Sequence, residues 1–122
     1  MLKEGYGSSF SRVLLKVGYT DLRKGIDGLA LLVEQEFGVD PMEPGTLFLF
    51  CGRRTDRIKG LICEDDGNYL FLYKRLEAGA FSWPRTLEQV RELSKDQFLR
   101  LMQGLSIDQK KAIPKFKPRQ TV

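Results

Sequence analysis

From Thr46 to Pro84 the chain reads TLFLFCGRRTDRIKGLICEDDGNYLFLYKRLEAGAFSWP, a pattern that few architectures accommodate. Three apolar runs, Thr46 to Cys51, Ile58 to Glu64 and Tyr69 to Tyr73, have the β-branched and aromatic content that suits a pleated, packed surface. Two turn signals separate them. The bend from Cys51 to Asp56 is the first, and Asp65-Asp66-Gly67-Asn68 is the second, where Gly and Asn accept the positive φ of a tight hairpin. The spacing predicts a three-stranded antiparallel meander.

Charge collects at the first bend. Arg53, Arg54, Arg57 and Lys59 face a single acid, Asp56, and Lys74 and Arg75 close the third run. The ends of the first and third runs and the start of the second are read as lying at different edges, so a continuous basic surface is compatible with the pattern but not required by it.

Upstream, Phe10 to Val17 alternates as a strand, with Val13, Leu15 and Val17 on one face and Arg12, Leu14 and Lys16 on the other. Thr20 or Asp21 then offers a cap for a helix running to Phe37. Its apolar stripe is Leu22, Ile26, Leu29, Ala30, Val33 and Phe37, with Gly38 as the stop. Leu31 falls on the opposite face, as a lone exposed leucine or a contact point. Gly25 and Gly28 are expected to let this helix pack closely on the sheet. The alternative is an anion site at its amino end, formed by Arg23 and Lys24 with the free amides. Residues 39–45 form a connector, Phe81 to Trp83 a short strand ending at Pro84, and Arg85 to Leu93 reads equally as a helical turn or a strand. Ser94-Lys95-Asp96-Gln97 has the form of a capping box. It opens a helix to Gln103 that partly buries Phe98, Leu99, Leu101 and Met102 and ends at Gly104, with Leu105 and Ile107 packing beyond it.

The class is therefore α+β: a mostly antiparallel sheet of four or five strands, one long helix packed across it and a second, C-terminal helix. We expect one domain over 1–107 with a loose leader at 1–9, followed by a basic flexible tail over 108–122. From Ile107 onward five basic residues face one acid, and the tail thus accounts for the whole net charge of +4. A chain of 122 residues, 42% hydrophobic and 30% charged, is large enough to bury a core without staples. No apolar run approaches the roughly 20 residues of a membrane span and the first residues lack a secretory apolar region, so no membrane partner and a cytoplasmic location are expected. Cys51 and Cys63 read as reduced, buried small hydrophobes. A zinc site would need two further soft ligands in a chain without histidine, and no metal or other cofactor is expected.

Three blocks carry a resemblance: TDLRKGIDGLALLV from Thr20 to Val33, the stretch from Gly45 to Pro84, and LSKDQFLRLMQGLSI from Leu93 to Ile107. In order and spacing they resemble the small accessory protein, often called TnpB, of the insertion-sequence-66 class of bacterial transposons, over roughly Val13 to Ile107. The RNA-guided nuclease that shares this name is unrelated. The resemblance implies a protein encoded beside a transposase and needed for movement of the element. The Cys63 to Asp66 segment departs from the aromatic pair that the family often has there.

Acidic residues for a metal-dependent nuclease exist by type, namely Asp21, Asp27, Asp56, Glu64, Asp65, Asp66 and Glu77, but Asp65-Asp66 reads more simply as a turn and Asp21 as a cap. Without histidine the cysteines lack the usual activating base. The expectation is no catalytic residue and no enzyme, but a module that binds DNA or a nucleoprotein. Arg53, Arg54, Arg57 and Lys59, joined by Arg23, Lys24, Lys74 and Arg75, would contact phosphates, and Tyr69, Tyr73 or Trp83 would either stack on unpaired bases or belong to the core. The implied partners are transposon-end DNA and the transposase of the same element, and a homo-oligomer is compatible with the sequence. The alternative is an adaptor that docks on the transposase through Leu31 and a sheet edge without touching DNA.

Overall fold

The meander forms the larger part of a five-stranded sheet. A computed structural model of the chain describes residues 10–85 and 88–108; the leader at 1–9 and the tail beyond Asp108 lie outside the described residues. The strands are β1 (Arg12–Lys16), β2 (Thr46–Cys51), β3 (Arg57–Cys63), β4 (Tyr69–Arg75) and β5 (Val90–Leu93), in the spatial order β4-β3-β2-β1-β5. All neighbours are antiparallel except β1 and β2, which run parallel in the register Arg12 to Thr46. A parallel pair needs a crossover, and a helix supplies it. The ambiguous segment before Leu93 is thus resolved as an edge strand.

Both faces of the sheet are covered. Helix α1 (Ile26–Leu32) continues as a π-helical turn over Val33–Phe37, ends at Gly38 with φ of 69°, and lays Leu29 and Val33 over Leu14, Phe48, Phe50 and Leu61. Helix α2 (Lys95–Met102) adds Phe98 and Leu101 to the opposite face. There they join Phe81, Trp83 and Ile107 over Val13, Leu15, Leu47, Leu49, Ile58 and Ile62. All six residues of β2 are buried, as a central strand between two layers requires.

Several expectations hold at atomic level. The Ser94 hydroxyl accepts from Gln97 N at 3.1 Å while Gln97 Oε1 accepts from Ser94 N at 2.8 Å, which completes the capping box. In the second turn Gly67 has φ of 84°, and the Asp66 carboxylate accepts from Asn68 N at 2.9 Å. Both cysteines are buried and free. Strand alternation puts Cys51 with Leu49 on the α2 side and Cys63 with Leu61 on the α1 side, so they cannot meet.

Others are corrected. The first helix starts at Ile26, not Asp21, because the Asp21 carboxylate accepts from Arg23 N in a local turn, and Gly25 stands at the cap position with no side-chain cap. Gly25 and Gly28 do not serve helix-to-sheet packing: a Cβ at Gly25 would meet nothing within 4 Å, and one at Gly28 would meet only Lys24. Close approach occurs on the sheet instead, where a Cβ at Gly60 would lie 3.2 Å from Leu47 Cδ1 and one at Gly52 the same distance from Leu22 Cδ1. The segment from Phe81 to Trp83 is not a strand. Its two aromatics are core residues, and Trp83 Nε1 donates to Lys16 O at 3.0 Å. Leu99 and Leu105 stay exposed while Ile107 packs. Among the described residues no helix is long and apolar enough to cross a membrane.

Candidate nucleic-acid interface

Helix α1 covers the sheet only as far as Leu61, which leaves the β3–β4 corner of that face open. Alternation along β3 brings Arg57 and Lys59 to this face, and the hairpin register sets Tyr73 opposite Lys59 and Phe71 opposite Leu61. Two connectors wall the corner. The segment after β1 is tied on by Thr20 N donating to Cys51 O at 2.8 Å, and Leu22 seats against Gly52, where a side chain would crowd it. The β2–β3 bend supplies the other wall with Arg53 and Arg54. The result is an open cleft of about 930 Å³ lined by Tyr19 to Arg23, Gly52 to Arg54, Arg57, Lys59, Phe71 and Tyr73.

The bend has a specific shape. Thr55 has φ of 55°, a left-handed conformation that β-branched residues rarely adopt. Its amide donates to Gly52 O at 3.0 Å, and its carbonyl accepts from Phe81 N at 2.7 Å. Leu76 N donates to Asp56 O at 2.7 Å. The bend is thereby fastened to the chain that follows β4.

Five cations line the cleft with one carboxylate, Asp21, and a second, Asp56, pairs with two of them from beside it. Asp56 is shared: its Oδ1 accepts from Arg57 Nε at 2.9 Å, and its Oδ2 lies 3.7 Å from Arg54 Nη2. The Arg57 hydrogen bond is the main cause holding its carboxyl below the ordinary range. Asp21 chelates Arg23, with Nη2 to Oδ2 at 2.9 Å, and is likewise held well below the usual carboxylate range. Arg23 and Arg54 remain 91% and 75% exposed, so these contacts leave most of each guanidinium edge facing solvent. The Arg53 guanidinium lies 6.0 Å from the Tyr19 ring centroid, and Arg85 approaches the same ring at 5.7 Å while donating to its hydroxyl. Lys59 Nζ donates to Leu22 O across the cleft and stands 5.2 and 5.9 Å from the Phe71 and Tyr73 centroids, within cation–π range.

Of the eight basic residues singled out in the sequence, five converge here: Arg23, Arg53, Arg54, Arg57 and Lys59. Lys24 is exposed outside the lining. The strand ends do not lie at different edges, since Arg57 pairs with Arg75 and Ile58 with Lys74. Alternation nevertheless sends Lys74 to the opposite face, where its Nζ donates to Met102 O at 3.1 Å. Arg75 stays on the cleft's face, bound to Glu77 at 3.1 Å. Of the three aromatics, Trp83 is core, Tyr69 is half-buried beside α1, and Tyr73 stands 54% exposed in the cleft. Tyr19, Thr20 and Leu22 join the lining without a sequence signal that marks them as site residues, and Phe71 joins it as well. Phe71 was recoverable from the hairpin, because a turn at Asp65 to Asn68 fixes which residues face Lys59 and Leu61. The acids are dispersed over turns and ion pairs, and among the described residues no three His, Cys, Asp or Glu gather as metal ligands would.

A family model described as IS66 Orf2 like protein matches residues 11–112, and so spans the sheet, both helices and every residue of the cleft. The chain belongs to the IS66 Orf2-like family. Two relatives from Sinorhizobium fredii match it at length. The uncharacterized protein y4hO is 35% identical over 94 residues, covering 77% of this chain and 80% of its own length. The uncharacterized protein y4jC is 30% identical over 107 residues, covering 88% and 90%. No solved structure gives a significant match. As an IS66 Orf2-like protein the chain has an accessory role associated with transposition of an insertion sequence.

Proposed function

We propose that this IS66 Orf2-like protein is a non-catalytic DNA-binding module that assists the transposase of its element at the transposon ends. One observation supports the reading: five cationic side chains from three separate parts of the fold line a single cleft whose lining includes one carboxylate, Asp21. Phosphate contacts are made by clustered arginine and lysine side chains, and this cleft gathers five of them from separate segments. Arg23, Arg53, Arg54 and Lys59 contact phosphates, and Arg57 with Asp56 holds the wall in shape.

Four such contacts imply a slope of about −3.6 in log affinity against log salt, a loss of about two orders of magnitude between roughly 50 and 200 mM. Gel shifts with terminal DNA of the element across that range test this. Replacing Arg53 and Arg54 with alanine should weaken binding and flatten the slope by about two. Binding that ignores both salt and these substitutions refutes the reading.

A second reading, an adaptor that docks on the transposase without touching DNA, is favoured by Leu31, which is 52% exposed on the outer side of α1. Association with the transposase at high salt, lost on Leu31→Asp and independent of DNA, would select it.

A further inference from the structure

We infer that the cleft takes an unpaired strand of DNA in preference to a duplex, seating a base on the Phe71–Tyr73 floor with its neighbouring phosphates on the arginine walls. The inference rests on the cleft being the DNA-contacting surface.

Two features point this way. The first is shape. A duplex is read by convex elements, a helix or a two-stranded ribbon, that enter a major groove about 12 Å wide. Here the recess is on the protein, and Lys59, half-buried on its floor, sits beside rings and below the connectors. A single strand can bend and turn its bases inward beside this lysine more readily than a rigid duplex.

The second is Tyr73. It is 54% exposed on a strand whose other ring on this floor, Phe71, is half-buried. The core does not use it, yet it stands opposite Lys59 on the ladder, whose ammonium lies 5.9 Å from its ring centroid. A positioned, open aromatic flanked by cations is the arrangement on which bases stack.

Fluorescence anisotropy on the full chain tests the inference with three labelled probes of equal length: oligothymidylate, the corresponding thymidylate–adenylate duplex, and an abasic strand. The bound single strand should exceed both others in affinity by about tenfold, the scale of one stacked base. Tyr73→Ala should remove that margin, whereas Tyr73→Phe should keep it. Equal affinity for the single strand and either other probe overturns the inference on the unmodified protein and leaves phosphate binding standing. A Tyr73→Ala protein that keeps the margin, with an unchanged melting temperature, overturns it equally. Failure to bind any probe at low salt overturns both this inference and the reading beneath it.

Discussion

Arg57 and Arg75 stand on one rung of the β3–β4 ladder, so two guanidinium-bearing side chains leave the same face of the sheet side by side. Like charges placed directly opposite destabilise a sheet, and each arginine here pairs with an acid, Arg57 with the Asp56 that Arg54 also approaches and Arg75 with Glu77. Asp56 therefore has two opposed effects. It steadies the corner of the cleft and lowers the charge that the cleft presents.

Asp56→Asn should separate those effects. Removing one counter-charge should strengthen DNA binding several-fold at low salt, because the guanidiniums of Arg54 and Arg57 no longer share a carboxylate. The same change should lower the melting temperature by leaving Arg57 and Arg75 less compensated. Anisotropy titrations and thermal melts on the variant check both signs, and a loss of affinity would count against the cleft as the contact surface.

Acid stability follows from the same residue. The Arg57 hydrogen bond, assisted by Arg54, holds the folded carboxyl of Asp56 below its ordinary value of 3.8, and Arg91 does the same for Asp108. In that range the unfolded chain binds more protons than the folded one, so stability rises with pH. The contribution is fully present above 3.8 and is lost as pH falls from there through the depressed folded values. Melting temperatures measured across this acid range should decline, and the Asp56→Asn variant should decline less steeply.

Ser94→Ala should cost about 1 kcal/mol, the usual scale for an N-cap hydroxyl. Both hydrogen bonds of the box depend on this position, and α2 carries Phe98 and Leu101 into the core. Urea denaturation should show a lower midpoint with an unchanged slope, since the surface exposed on unfolding stays the same.

The two thiols should be silent in the native protein. Burial pushes Cys51 up to about 12, and Cys63 is raised for the same primary reason. The thiolate is the reactive form, so a chromogenic disulfide reagent at neutral pH should modify neither cysteine until denaturant is added, and both thereafter.

The sheet was legible because alternation and turn chemistry are local. The Asp65 to Asn68 turn dictates the β3–β4 register, and the Ser94 box dictates where α2 begins. The start of α1 was not, because Asp21 has two competing uses and the choice depends on Arg23 folding back onto it. The parallel pairing of β1 with β2 is a long-range event for which neither strand carries a mark. For the site, the basic cluster was visible in the chain but its partition was not. Lys74 and Arg75 are adjacent in sequence, and strand alternation alone sends them to opposite faces. The role of Tyr19 was hidden for the same reason: it meets Arg53 and Arg85 only after three separate segments converge.

The fastening of Thr55 to Phe81 bears on affinity as well as architecture. A loop that must settle on contact with its target surrenders conformational entropy at that moment, whereas here the cost falls on folding. The shape of the arginine-bearing bend is thus set by folding itself, and on the proposed reading the buried-core residue Phe81 would bear on how tightly this surface holds a ligand.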